Sequence, residues 1–262
     1  MSSLFAPMAR RLGAATLVAV LAACSSTPKD ETAGMSVERV YSEARDDAAA
    51  GNYERAIRFY ERLEGRAAGT VLAQQAMLEL AHTYYRSGER AQALATIERY
   101  MKLYPTSAAS DYALYLRGLI NFNDNLGLFG RFSGQSLSDR DQQASKEAYQ
   151  SFRQLVDLYP ESIYAPDAQA RMNFIVNSLA QYEVGVARYY FRRGAYLAAA
   201  NRAQLAVQEY QQSPAVEEAL HVMARSYERL GLNELRDDAL RVLRLNFPQS
   251  SFLSQAGGAT LR

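Results

Sequence analysis

Few of the 262 residues have the chemistry for catalysis or metal binding: one cysteine, Cys24, and two histidines, His82 and His221. Catalysis would need a nucleophile beside a base, a carboxylate pair or a ligand cluster. Neither histidine has a ligand-spaced partner, and both fall in helical segments, where packing or a groove edge is the plainer role. Gly127-x-x-Gly130-x-x-x-Gly134 lacks a preceding strand and a following Lys-Ser/Thr pair, so it does not make a phosphate loop. The carboxylates of "SDRD" (138–141) lack the glycine and distal glutamate of a calcium loop. They read instead as a cap for a helix starting near Gln142. No catalytic residue, metal ligand or bound cofactor is expected, which leaves the chemistry of Cys24.

Cys24 lies in "LVAVLAACSS" (17–26). Arg10 and Arg11 precede an uncharged run from Leu12 to Ala23, the pattern of a secretory signal. That run is much shorter than the roughly 20 residues of a spanning helix. Its end, Leu21-Ala22-Ala23-Cys24, resembles the bacterial lipobox. The resemblance implies removal of a signal peptide at 1–23, a diacylglycerol on the Cys24 sulfur and acylation of the new amino terminus. A buried structural cysteine is the competing reading, but Ser25-Ser26-Thr27-Pro28-Lys29-Asp30-Glu31 offers nothing to pack. Ser25 stands where an inner-membrane retention signal has aspartate. The resemblance therefore implies a lipid anchor in the outer membrane of a Gram-negative bacterium, facing the periplasm. Residues 24–36 are expected to form a lipidated flexible linker.

Without Arg10 and Arg11 the chain has 27 basic and 28 acidic residues, a formal charge of −1. Such a balance gives no general reason to bind nucleic acid. With a single cysteine no internal disulfide can form, so stability must come from packing.

The packing pattern is repetitive. Ala81-x-x-Tyr84-x-x-x-Gly88 recurs at Ala187, Tyr190 and Gly194 and at Ala224, Tyr227 and Gly231, with a weaker copy at Ala44, Asp47 and Gly51. A second signature follows: Ala93, Ile97, Tyr100 and Pro105 are spaced like Ala148, Phe152, Leu155 and Pro160. Spacings of three, four and seven put these residues on one helical face. Small residues let antiparallel helices approach, glycine ends the first helix, and proline follows the second. The unit resembles the tetratricopeptide repeat. It predicts an all-α solenoid of five tetratricopeptide-like helical hairpins, about ten helices, at 37–64, 70–104, 108–158, 165–212 and 215–247. The repeat domain spans 37–250, with an insertion at 123–143 that carries Leu126, Leu128, Phe129 and Phe132 and is too apolar for a solvated linker. The first helix of the fourth hairpin is expected to begin near Pro166 and to bend near Gly185, and residues 251–262 to form a frayed C-terminal tail.

Three strings are more specific than generic repeats: "DYALYLRGLINF" (111–122), "SDRD" followed by "KEAYQSF", and "YEVGVARYYFRRGAYLAAANR" (182–202). With the lipobox and the insertion in the third hairpin, they resemble the BamD family, lipoprotein subunits of the outer-membrane β-barrel assembly machinery. The resemblance implies a non-enzymatic scaffold. It would dock on the periplasmic domain of the barrel-bearing subunit, help recruit other lipoprotein subunits and receive unfolded outer-membrane proteins. Matching positions give Arg202, Asn201, Arg193 and Arg140 as partner-binding residues. By register Arg202 lies beside the seam, free for a partner's carboxylate, solvated, or paired with Glu209 of its own helix. A pilotin-like or cell-wall-enzyme-regulating repeat lipoprotein is the alternative function.

Overall fold

A computed structural model of the chain describes residues 30–122 and 139–255. The signal region, Cys24 and the apolar residues of the insertion lie outside the described residues. Five helical hairpins follow one another: α1 (Val37–Ala49) with α2 (Tyr53–Arg66), α3 (Val71–Ser87) with α4 (Arg90–Leu103), α5 (Ser110–Asn121) with α6 (Asp139–Leu158), α7 (Ala165–Arg192) with α8 (Tyr196–Glu209), and α9 (Ala215–Arg229) with α10 (Asn233–Asn246). A short helix, α11 (Ser251–Gln255), completes eleven helices among the described residues, with no strand. Each helix packs on the next in sequence, and the first helices of neighbouring hairpins also touch, α1 on α3, α3 on α5 and α7 on α9. The first helices therefore line one face of the stack.

The small residues of the repeat signature occupy the crossings, as their spacing requires. Ala44, Ala56, Ala81, Ala93, Ala148, Ala187, Ala199 and Ala203 are all fully buried. At the second hairpin, Gly88 ends α3 with φ +85°. That left-handed turn lets the Gly88 and Glu89 amides return to the Tyr85 and Tyr84 carbonyls at 3.2 and 2.9 Å. Where the first repeat lacks tyrosine, Asp47 bonds across the turn to Arg55 Nη1 at 2.6 Å. Ala203 is fully buried in a cluster with Val184, Ala187, Ala206, Ala219 and Val222, to which α7, α8 and α9 all contribute. Ala203→Phe should overpack this junction and lower stability by about 2 kcal/mol, read by thermal unfolding.

Helix α7 begins where expected and passes through Gly185 as one helix of 28 residues. Three elements differ from expectation. Helix α6 already includes Asp139, three residues before the expected start, so Asp139, Arg140 and Asp141 lie in the helix rather than preceding it. The linker is packed from residue 30 onward. Thr32 is buried, Arg66 donates to the Thr32 and Met35 carbonyls at 3.1 and 2.6 Å, and Glu31 pairs with Arg55 at 2.9 Å. Apolar content alone missed this because, beyond the packing of Met35 on the core, ion pairs and bonds to backbone carbonyls hold the segment on α2. The tail departs in the same sense: Phe252 and Leu253 of α11 pack on the apolar cluster of the last hairpin.

Candidate functional site

The residues expected to contact a partner are spread along the C-terminal half. Arg193 is exposed at the turn after α7, its guanidinium 5.4 Å from the Tyr189 ring centre. Asn201 and Arg202 are exposed on α8. Arg202 lies six residues beyond the start of α8, about 9 Å along its axis, so it is not clustered with Arg193. Arg140 falls in the first turn of α6, in a neighbouring hairpin, and its side chain lies outside what the structure describes.

Arg202 has an internal partner that spacing did not suggest. Its Nη1 donates to Oε2 of Glu183 on α7 at 3.1 Å, whereas Glu209 of its own helix is not its partner. The two ends of this pair differ. Glu183 is 6% exposed at the side chain and Arg202 44%. The carboxylate is thus a buried charge that Arg202 neutralises through one of its five N–H donors, while the arginine side chain itself stays partly exposed. One arginine can hold Glu183 and still offer donors to a second carboxylate.

A different arrangement lies at the opposite end, on the face lined by first helices. Between α1, α2 and α3 is a cleft of about 200 Å³ bordered by Arg45, Tyr53, Tyr60, Glu79, His82 and Arg86. The Tyr60 ring is fully buried and its hydroxyl has no hydrogen-bond partner. Burial raises the Glu79 carboxyl above its ordinary value, opposed by the charge of Arg45. Burial also lowers His82, reinforced by Arg86. An orphaned hydroxyl and a carboxyl short of solvent make this a place where polar atoms of another chain would be satisfied. The repeat pattern passes over Arg45, Glu79, His82 and Arg86 because they occupy polar positions of the first helices α1 and α3, while Tyr53 and Tyr60 come from α2. Their partnership depends on which helices stack.

Nothing gathers the usual reactive groups. No set of three His, Cys, Asp or Glu residues among the described residues is placed to hold a metal ion. No described helix is long and apolar enough to cross a membrane.

Comparison with known proteins gives consistent matches over the whole repeat array. Residues 33–243 match the family YfiO, described as outer membrane lipoprotein. The chain is 47% identical over 225 residues to the outer membrane protein assembly factor BamD of Neisseria meningitidis serogroup A, covering 86% of this chain and 84% of that protein. It is 36% identical over 239 residues to the same factor of Xylella fastidiosa, covering 91% and 82%. With that of Vibrio cholerae the identity is 34% over 229 residues, covering 87% and 95%.

Proposed function

The chain belongs to the YfiO family of outer membrane lipoproteins, and from that membership we propose that it is an outer membrane protein assembly factor, a helical scaffold rather than an enzyme. What supports this most directly is agreement in extent. The ten hairpin helices occupy residues 37 to 246, nearly the span of the family match, and the relatives named assembly factor align over most of their own length. The scaffold works by presenting surfaces. The C-terminal hairpins, with Arg202, Asn201 and Arg193, dock on the periplasmic domain of the barrel-bearing subunit, and Arg140 extends that contact toward the third hairpin. The cleft between α1 and α3 receives polar groups of an unfolded outer-membrane protein, and other lipoprotein subunits complete the assembly. Proteins that co-purify with the mature chain from solubilised outer membrane test the proposal. The barrel-bearing subunit is the expected partner. Recovery of peptidoglycan enzymes or a secretin in its place would overturn the assignment.

Anchoring is through lipid on Cys24, at the periplasmic face of the outer membrane. Buried methylenes contribute about 0.8 kcal/mol each, and three acyl chains far exceed the two signals that stable anchoring needs. Cys24→Ser should leave the chain uncleaved or soluble, as read by fractionation and mass spectrometry of the amino terminus. A serine variant that still carried lipid and fractionated with the outer membrane would rule out Cys24 as the anchor.

A further inference from the structure

We propose that His221 and Phe252 form a proton-released latch that holds α11 against the end of the helical stack. His221 is on α9 and only 2% exposed, and both its ring nitrogens are buried without a hydrogen-bond partner. Its ring lies 4.6 Å from that of Phe252, with an angle of 22° between the planes. This is a stacked pair, and it joins the last hairpin to the helix that follows it. The same cluster contains Leu220, Leu240 and Leu243, which α11 helps to cover. Among the described residues α11 covers the outward apolar side of the last hairpin, as a cap does in a repeat stack.

The surroundings suit a neutral imidazole and penalise a charged one. On α9, Arg225 lies one turn beyond His221, and its Nε is also buried without a partner. The rest of its head is turned to Glu228, at 3.0 Å. Glu218, one turn before His221, is paired with Arg188 of α7 at 3.2 Å. The side chains that α10 and α11 bring to this cluster are Ala239, Leu240, Val242, Leu243, Phe252 and Leu253, none of which titrates. A proton on His221 would therefore meet no acceptor and a neighbouring cation. Burial and then Arg225 lower its pKa from the ordinary 6.5. The latch is fully closed above that value and weakens as pH falls through it, because only the opened state takes up the proton readily. Opening hydrates the imidazolium, frees Phe252 and exposes the apolar end of the last hairpin.

Hydrogen exchange of the mature full-length chain, followed in a peptide covering 247–255, tests the latch. After correction for intrinsic rates, protection should fall up to about tenfold between about pH 7.5 and about pH 5.5, since one pH unit below 6.5 is worth a factor of about ten. His221→Phe keeps a stacking ring without a titrating group, and its protection should not change with pH. His82→Gln, at the far end of the stack, should leave the acid loss of protection in 247–255 unchanged. Phe252→Ala should lose protection at both pH values, and the NMR titration of His221 should move upward toward 6.5. An unchanged acid loss in His221→Phe overturns the proposal. So does a His221 titration that already lies near 6.5 in the intact chain.

Discussion

Arg202→Glu should cost the chain about 3 kcal/mol of stability as well as its partner, because it removes the charge that neutralises Glu183 and adds a second carboxylate beside it. An Arg202 that lay beside the seam and was free for a partner's carboxylate would, on substitution, weaken docking and leave melting intact. Glu183 changes that expectation. Its side chain is nearly inaccessible, so it cannot recover by hydration what it loses in the pair. The partly exposed arginine keeps the cost at the low end of the range for broken buried pairs. In a repeat array of this size, a loss of 3 kcal/mol corresponds to a fall in melting temperature of about 6–12 °C.

Docking and folding separate in a second variant. Arg202→Gln combined with Glu183→Gln removes both charges and leaves two amides able to bond to each other. Its melting temperature should return close to that of the unsubstituted chain. Association with the barrel-bearing subunit should still be weaker by about 2 kcal/mol or more, if the remaining N–H groups of Arg202 serve a partner carboxylate. Glu183→Gln alone leaves that guanidinium in place and should bind nearly normally. Full recovery of binding in the double variant would restrict Arg202 to an internal structural role.

How legible each feature was depended on how far apart its determinants lie in sequence. The hairpins were readable because alanine, tyrosine, glycine and proline act within one helix or its turn, at offsets that helix geometry fixes. Glu183 was hidden because it is 19 residues from Arg202, on a 28-residue helix longer than any other described helix of the array. The seating of residues 30–35 depends on Arg55 and Arg66, more than 20 residues away, and uses backbone carbonyls that no side-chain pattern encodes. His221 looked like an ordinary edge residue until α11 supplied the ring that covers it. The Tyr60, Glu79 and His82 cleft likewise required knowing that α1, α2 and α3 converge. Periodicity identifies which face of a helix is buried. It does not say which distant residue arrives there.

Gly118 shows how large such a distant effect becomes. A glycine inside a helix normally costs about 1 kcal/mol relative to alanine, so replacing it should stabilise α5. At Gly185, in the middle of α7, that expectation holds: a Cβ would meet nothing within 4 Å, and Gly185→Ala should gain up to about 1 kcal/mol. At Gly118 the sign reverses. A Cβ there would lie within 2.8 Å of three ring atoms of Phe152, Cε1, Cδ1 and Cζ. That ring is fully buried on α6, with Tyr115 and Phe122 at centroid distances of 6.0 and 6.1 Å, so it has no solvent side to which it can retreat. Overpacking of this kind costs about 1–3 kcal/mol for one extra methyl and more for a branched side chain. The clash outweighs the propensity gain. Gly118→Ala should lose about 2 kcal/mol and Gly118→Val at least about 3, measured by denaturant unfolding with an unchanged slope. Phe152→Leu supplies the decisive control. Alone it costs about 1 kcal/mol, but it vacates the space a Cβ needs, so with Gly118→Ala the combined loss should fall short of the sum by about 1–2 kcal/mol. Strict additivity would mean that Gly118 and Phe152 do not share this contact, and that the glycine is no more constrained than Gly185.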